Sequence, residues 1–89
     1  LDKLPLQTAI EYIKNTEGKP FSCIFITRKN ANVRFLTGVT GRFIGNNPKL
    51  DFEKHNLIPI IDTDIMEYKC IPEENIIAVE MNGVWYRTV

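Results

Sequence analysis

The closing stretch EYKCIPEENIIAVEMNGVWYRTV, residues 67–89, decides the fold. Residues 68–71 (YKCI) read as a strand, PEEN (72–75) as one helical turn at most, and IIAVEM (76–81) as another strand. Asn82-Gly83 then precedes the apolar run VWYRTV (84–89). Asn-Gly between two strand-like runs is the strongest short-range hairpin signal, because both central residues of a type I′ turn take positive φ. The chain therefore ends as strand, tight turn, strand, Asn-Gly, strand.

Working upstream, LIPIID (57–62) is a further strand, and Pro59, which has no N–H to donate, marks an edge or a bulge. TDIME turns it into 68–71. Residues 38–56 are irregular: Gly38, Gly41 and Gly45 interrupt any pattern, and Asn46-Asn47-Pro48 reads as a turn. PFSCIFITR (20–28) is rich in β-branched and aromatic residues and apolar on both alternating sets, Phe21, Cys23 and Phe25 on one, Ile24 and Ile26 on the other. A strand apolar on both faces needs cover on both. A barrel interior would take one set and the N-terminal helix part of the other. KNAN (29–32) is turn chemistry, after which Val33, Phe35 and Thr37 alternate with Arg34 and Leu36 in the next strand. At the start, Leu6, Ala9, Ile10 and Ile13 repeat at helical spacing, which predicts a helix near 5–15. Pro5 suits its first turn, Thr8 and Glu11 offer an alternative capping box, and 15–18 stop it. The expected fold is mainly β: a small antiparallel barrel with an N-terminal α-helix, one domain over 1–89 with the helix assigned to 5–16 and the barrel to 20–89.

This order of elements resembles Sm-like and SH3-like barrels, in which a short 3₁₀ turn precedes the last barrel strands. KPFSCIFITRKNANVRFLTG, NLIPIIDTDIMEYKCIPEENIIAVEMNG and VWY look more specifically like the small phage-borne Sm-like barrel family related to the WYL domain. The resemblance spans roughly 19–88 and rests on Arg34, Asp62 and the Ile-Pro-x-x-Asn-Ile step at 71–76. It implies a phage or prophage setting and a barrel, and no catalytic residues. Glu67 and Lys69 stand where such proteins carry Gly and Arg, and Trp85-Tyr86-Arg87 lacks the Leu of a Trp-Tyr-Leu triplet.

Eleven basic and eleven acidic side chains cancel, but unevenly along the chain. Residues 1–17 carry two Lys and three acids. Residues 18–50 carry Lys19, Arg28, Lys29, Arg34, Arg42 and Lys49 with no acid; residues 51–89 carry three basic and eight acidic side chains. Two outcomes stay open: a dipolar surface, or neutralisation across paired strands. No apolar run approaches the roughly 20 residues that cross a bilayer, and LDKLPLQTAI has no signal-peptide pattern, so a cytoplasmic setting (the host's, if phage-encoded) is expected. Two sparse cysteines, Cys23 and Cys70, fit reduced thiols.

Catalytic constellations find little support. Cys23, His55 and Cys70 share no metal-ligand spacing, so neither a metal nor another cofactor is expected. Asp62, Asp64 and Glu67 read as acids around a hairpin tip rather than a two-metal centre. The glycines at 38, 41 and 45 are followed by no Gly-Lys-Ser/Thr, which excludes a P-loop. Without an acid–base or nucleophile pair, the expectation is a non-enzymatic module. Arg28, Lys29, Arg34 and Arg42 are the candidate phosphate contacts and Phe43 the candidate stacking residue for single-stranded DNA or RNA. The alternative is a protein-interaction or self-association module.

Overall fold

A computed structural model describes residues 2–40 and 55–89. In chain order the elements are β1 (Asp2–Leu4), α1 (Leu6–Lys14), β2 (Phe21–Ile26), β3 (Val33–Val39), β4 (Leu57–Asp62), β5 (Glu67–Pro72), a 3₁₀ turn (Glu73–Asn75), β6 (Ile76–Met81) and β7 (Val84–Thr88). The described residues are mainly β, with one α-helix. All seven strands join one sheet in the order β1-β7-β6-β2-β3-β4-β5.

The sheet is open rather than a closed barrel: β1 and β5 are its two edges. It nevertheless curls, so that β5 comes close to β2 across the core. A register shift between β2 and β6 at Ile24/Phe25 adds to this curl, because a bulge bends its strand. Among the described residues β4 meets β3 at Gly38↔Asp62 and Val39↔Ile61 alone. Gly38 is required there, since a Cβ would lie 2.5 Å from the Ile61 carbonyl oxygen.

One core fills the concave side. Ala9, Ile10 and Ile13 of α1 pack with Phe21, Cys23 and Phe25 of β2 and with Leu36, Ile58, Ile60, Ile71, Ile76 and Val79. The helix and the core thus share one β2 face, that of Phe21, Cys23 and Phe25, rather than taking one face each as the sequence suggested; Ile24 and Ile26 stay half-buried. Pro5 precedes α1 in extended conformation (φ −57°, ψ 139°), and its carbonyl accepts the Ala9 N–H at 3.1 Å. It does not occupy the first turn, and no side chain caps that end, so the Thr8–Glu11 box is not used. At the other end Asn15 closes the helix, and the buried Thr16 hydroxyl bonds the Ile13 carbonyl and the Thr40 hydroxyl, both at 2.8 Å.

Asn82 and Gly83 have φ of 53° and 83°, the pair of positive values that a type I′ hairpin demands. The Glu80 carboxylate accepts the Gly83 N–H at 2.8 Å. Pro59 lies in the part of β4 that, among the described residues, pairs with β5 alone. The element missed by sequence is β1, which pairs in parallel with β7, Leu4 opposite Thr88.

Candidate functional site

The predicted cations separate into three groups. Arg28 is occupied: its Nε lies 2.7 Å and its Nη2 2.9 Å from the two Glu74 carboxylate oxygens, and Nη2 also donates to the His55 carbonyl at 2.7 Å. The Glu74 partner raises the Arg28 pKa, and the Arg28 hydrogen bond holds the Glu74 carboxyl below its usual value. With Lys14–Glu73 at 2.9 Å, this pair joins basic side chains of the first half to acids of the second, so neutralisation across the fold accounts for part of the charge asymmetry. Arg28 is a clamp between the β2–β3 turn and the 3₁₀ turn, its guanidinium already engaged by Glu74 and the His55 carbonyl.

Lys29 and Arg34 stand differently. Both are exposed and neither enters an ion pair among the described residues. Arg42 and Phe43 lie outside the described residues.

Arg34 sits opposite Phe25 in the β2–β3 ladder, so it projects from the core side of the sheet. Asp62, opposite Gly38, and Lys69, opposite the fully buried Ile60, project from the same side. Together they line an open cavity of about 260 Å³, with Phe25, Thr27 and Leu36 around its base. The cavity is the unfilled end of the core. The β4–β5 turn falls short of the first half of β3, and, among the described residues, 33–36 pair with β2 alone. Val33 and Phe35 are consequently 65% and 60% exposed.

Phe35 has the opposite parity from Arg34. Its ring meets Trp85 of β7 at 5.9 Å between centroids, tilted by 42°. β2 and β6 lie between these two strands in the sheet. The small residues Ser22 and Ala78 on that face leave room for the two rings to approach, and Ala78 is buried there. With that contact made, Phe35 remains 60% exposed. The free half of β3 thus carries an aromatic on one face and a cation on the other.

Among the described residues no group of acids, histidines or cysteines is arranged to hold a metal ion, and Asp62, Asp64 and Glu67 do not converge. The Asp62 carboxylate instead accepts the Asp64 N–H at 3.0 Å, closing the turn. Cys23 and Cys70 are free thiols, and burial pushes the Cys23 pKa up to about 12. Among the described residues no helix is long and apolar enough to cross a membrane.

Lys69, Asp62 and Phe35 were not among the predicted site residues. Phe35 was legible as a strand aromatic, but its exposure follows from the shortness of the β3–β4 ladder. Lys69 lines the cavity through its register opposite Ile60 on the core side of β5. Comparison with family models, with curated proteins and with solved structures returns no match.

Proposed function

We propose that this chain is a non-enzymatic module that binds single-stranded nucleic acid along the free half of β3. One observation carries this reading: exposed Phe35 and Arg34, which has no ion pair among the described residues, occupy adjacent positions on opposite faces of a strand whose outer edge no described strand covers there. A single strand crossing that edge would stack a base on Phe35 and pass its phosphates to Arg34, Lys29 and Lys69. Stacking on an aromatic face tolerates any base, and cations supply the rest of the affinity. The absence of acids between residues 18 and 40 leaves that local stretch of chain cationic. A phage-borne cytoplasmic accessory role, implied by the resemblance to Sm-like barrels, fits this chemistry.

The test is fluorescence anisotropy with labelled single-stranded DNA and RNA across a salt series. Three phosphate contacts at roughly −0.7 each give a log–log slope of about −2. Arg34→Ala should flatten the slope, and Phe35→Ala should weaken binding with the slope unchanged. Arg28→Ala should leave the slope alone. No binding at low salt rejects the proposal and moves attention to protein docking at the apolar hairpin tip, where Ile65 and Met66 are exposed.

A further inference from the structure

The cavity beside Arg34 mixes three chemistries within one small space. Its base is apolar, from Phe25 and Leu36; two cations, Arg34 and Lys69, approach from strands on opposite walls; and a carboxylate, Asp62, stands between. Neither cation is within ion-pair distance of Asp62. One Asp62 oxygen is used by the Asp64 N–H, and the other carries no hydrogen bond among the described residues. An acceptor and two cations with no partner for one another among the described residues, over an apolar base, are complementary to a ligand with an N–H donor on a flat ring and a negative charge at its end.

We infer that this cavity takes one cytosine nucleotide of the bound strand, an inference that rests on the nucleic-acid reading above. The ring lies over Phe25 and Leu36, its exocyclic amine donates to Asp62, and its phosphate sits between Arg34 and Lys69. Pairing of a carboxylate with the cytosine N4 amine is an established geometric match, and bases splayed out of a single strand are read on this Watson–Crick edge. Uracil presents a carbonyl oxygen where cytosine presents the amine, so Asp62 would face it acceptor to acceptor.

The experiment compares labelled oligo-dC and oligo-dU of equal length at low salt, which differ only at the groups facing Asp62. The wild-type protein should bind oligo-dC about five- to a hundredfold more tightly. Asp62→Asn is close to isosteric and keeps an acceptor for the Asp64 N–H. Its amide can accept from cytosine or donate to uracil, so it should level the two affinities by improving oligo-dU. Circular dichroism and melting of Asp62→Asn check that the fold is kept. Equal affinities in the wild type, or a preference that survives Asp62→Asn, overturn the cytosine assignment while strand binding stands. If neither oligomer binds, the nucleic-acid reading itself falls, and the cytosine assignment with it.

Discussion

Arg28 holds Glu74 with two nitrogens on two oxygens, at 2.7 and 2.9 Å, forty-six positions away along the chain. Because Arg28 also bonds the His55 carbonyl, it fastens the β2–β3 turn to the start of β4 as well as to the 3₁₀ turn. Such a fork is specific to Arg; Lys could reach one oxygen but not reproduce the geometry.

The pair makes acid stability testable. Its hydrogen bond holds the Glu74 carboxyl below its ordinary value, so the stabilisation is present above the unfolded carboxylate range and is lost as pH falls through the folded value. Glu74→Gln should melt slightly lower than wild type at neutral pH, the effect being small because the pair is well exposed. That gap should close as pH falls through the carboxylate range. A gap constant with pH would reject the coupling.

The helix is anchored by residues with no solvent contact. Ile13 is 0% exposed and belongs to the shared core. Ile13→Ala should cost about 2–5 kcal/mol in urea unfolding, from lost burial and the cavity left behind. Glu11→Ala, on the exposed face, should stay within about 0.5 kcal/mol. Equal effects would mean that α1 does not pack as described.

Gly38 allows the closest β3–β4 approach. Gly38→Ala places a methyl 2.5 Å from the Ile61 carbonyl oxygen, and a backbone atom cannot rotate away. We expect a loss of about 1–3 kcal/mol, the usual range for overpacking. Wild-type stability in this variant would show that β3 and β4 can separate at no cost.

The two thiols should react differently. Cys23 is fully buried with its pKa pushed up to about 12, whereas Cys70 is half-buried with a pKa raised by burial. A thiol reagent should modify Cys70 in the native protein and reach Cys23 only after unfolding. The unfolded Cys23 ionises near its ordinary value of about 8.5 while the folded one keeps its proton to about 12. Its contribution to stability is therefore present below the unfolded value and lost as pH rises across that window. Cys23→Ala should lack this alkaline loss relative to wild type. Rapid native labelling of Cys23 would contradict its burial.

Much of the architecture was legible because its signals are local. Asn82-Gly83 specifies its own turn, the Leu6–Ala9–Ile10–Ile13 spacing specifies a helix face, and Pro72 with the following acids marks the single 3₁₀ turn. What escaped depends on partners distant in sequence. β1 has three residues and no periodicity of its own, and becomes a strand only beside β7. Whether the sheet closes depends on how far β4 and β5 run past β3, which no pattern of residues encodes. For the site, sequence marks Arg28 and Arg34 equally as cations. Only the approach of Glu74 to one of them, and of the cavity to the other, separates a clamp from a free contact.

The parallel pairing of β1 with β7 has a mechanical consequence. The Leu6 N–H bonds the Val89 carbonyl at 3.1 Å and the Val89 N–H bonds the Leu4 carbonyl at 2.9 Å, so first and last strands are fastened to each other. Parallel strands leave their ladder from opposite ends. Tension applied between Asp2 and Val89 would therefore pull β1 and β7 lengthwise past one another, loading their hydrogen bonds together in shear instead of peeling them one at a time. The shortest strand is the clasp through which any force along this chain must pass before it reaches the core.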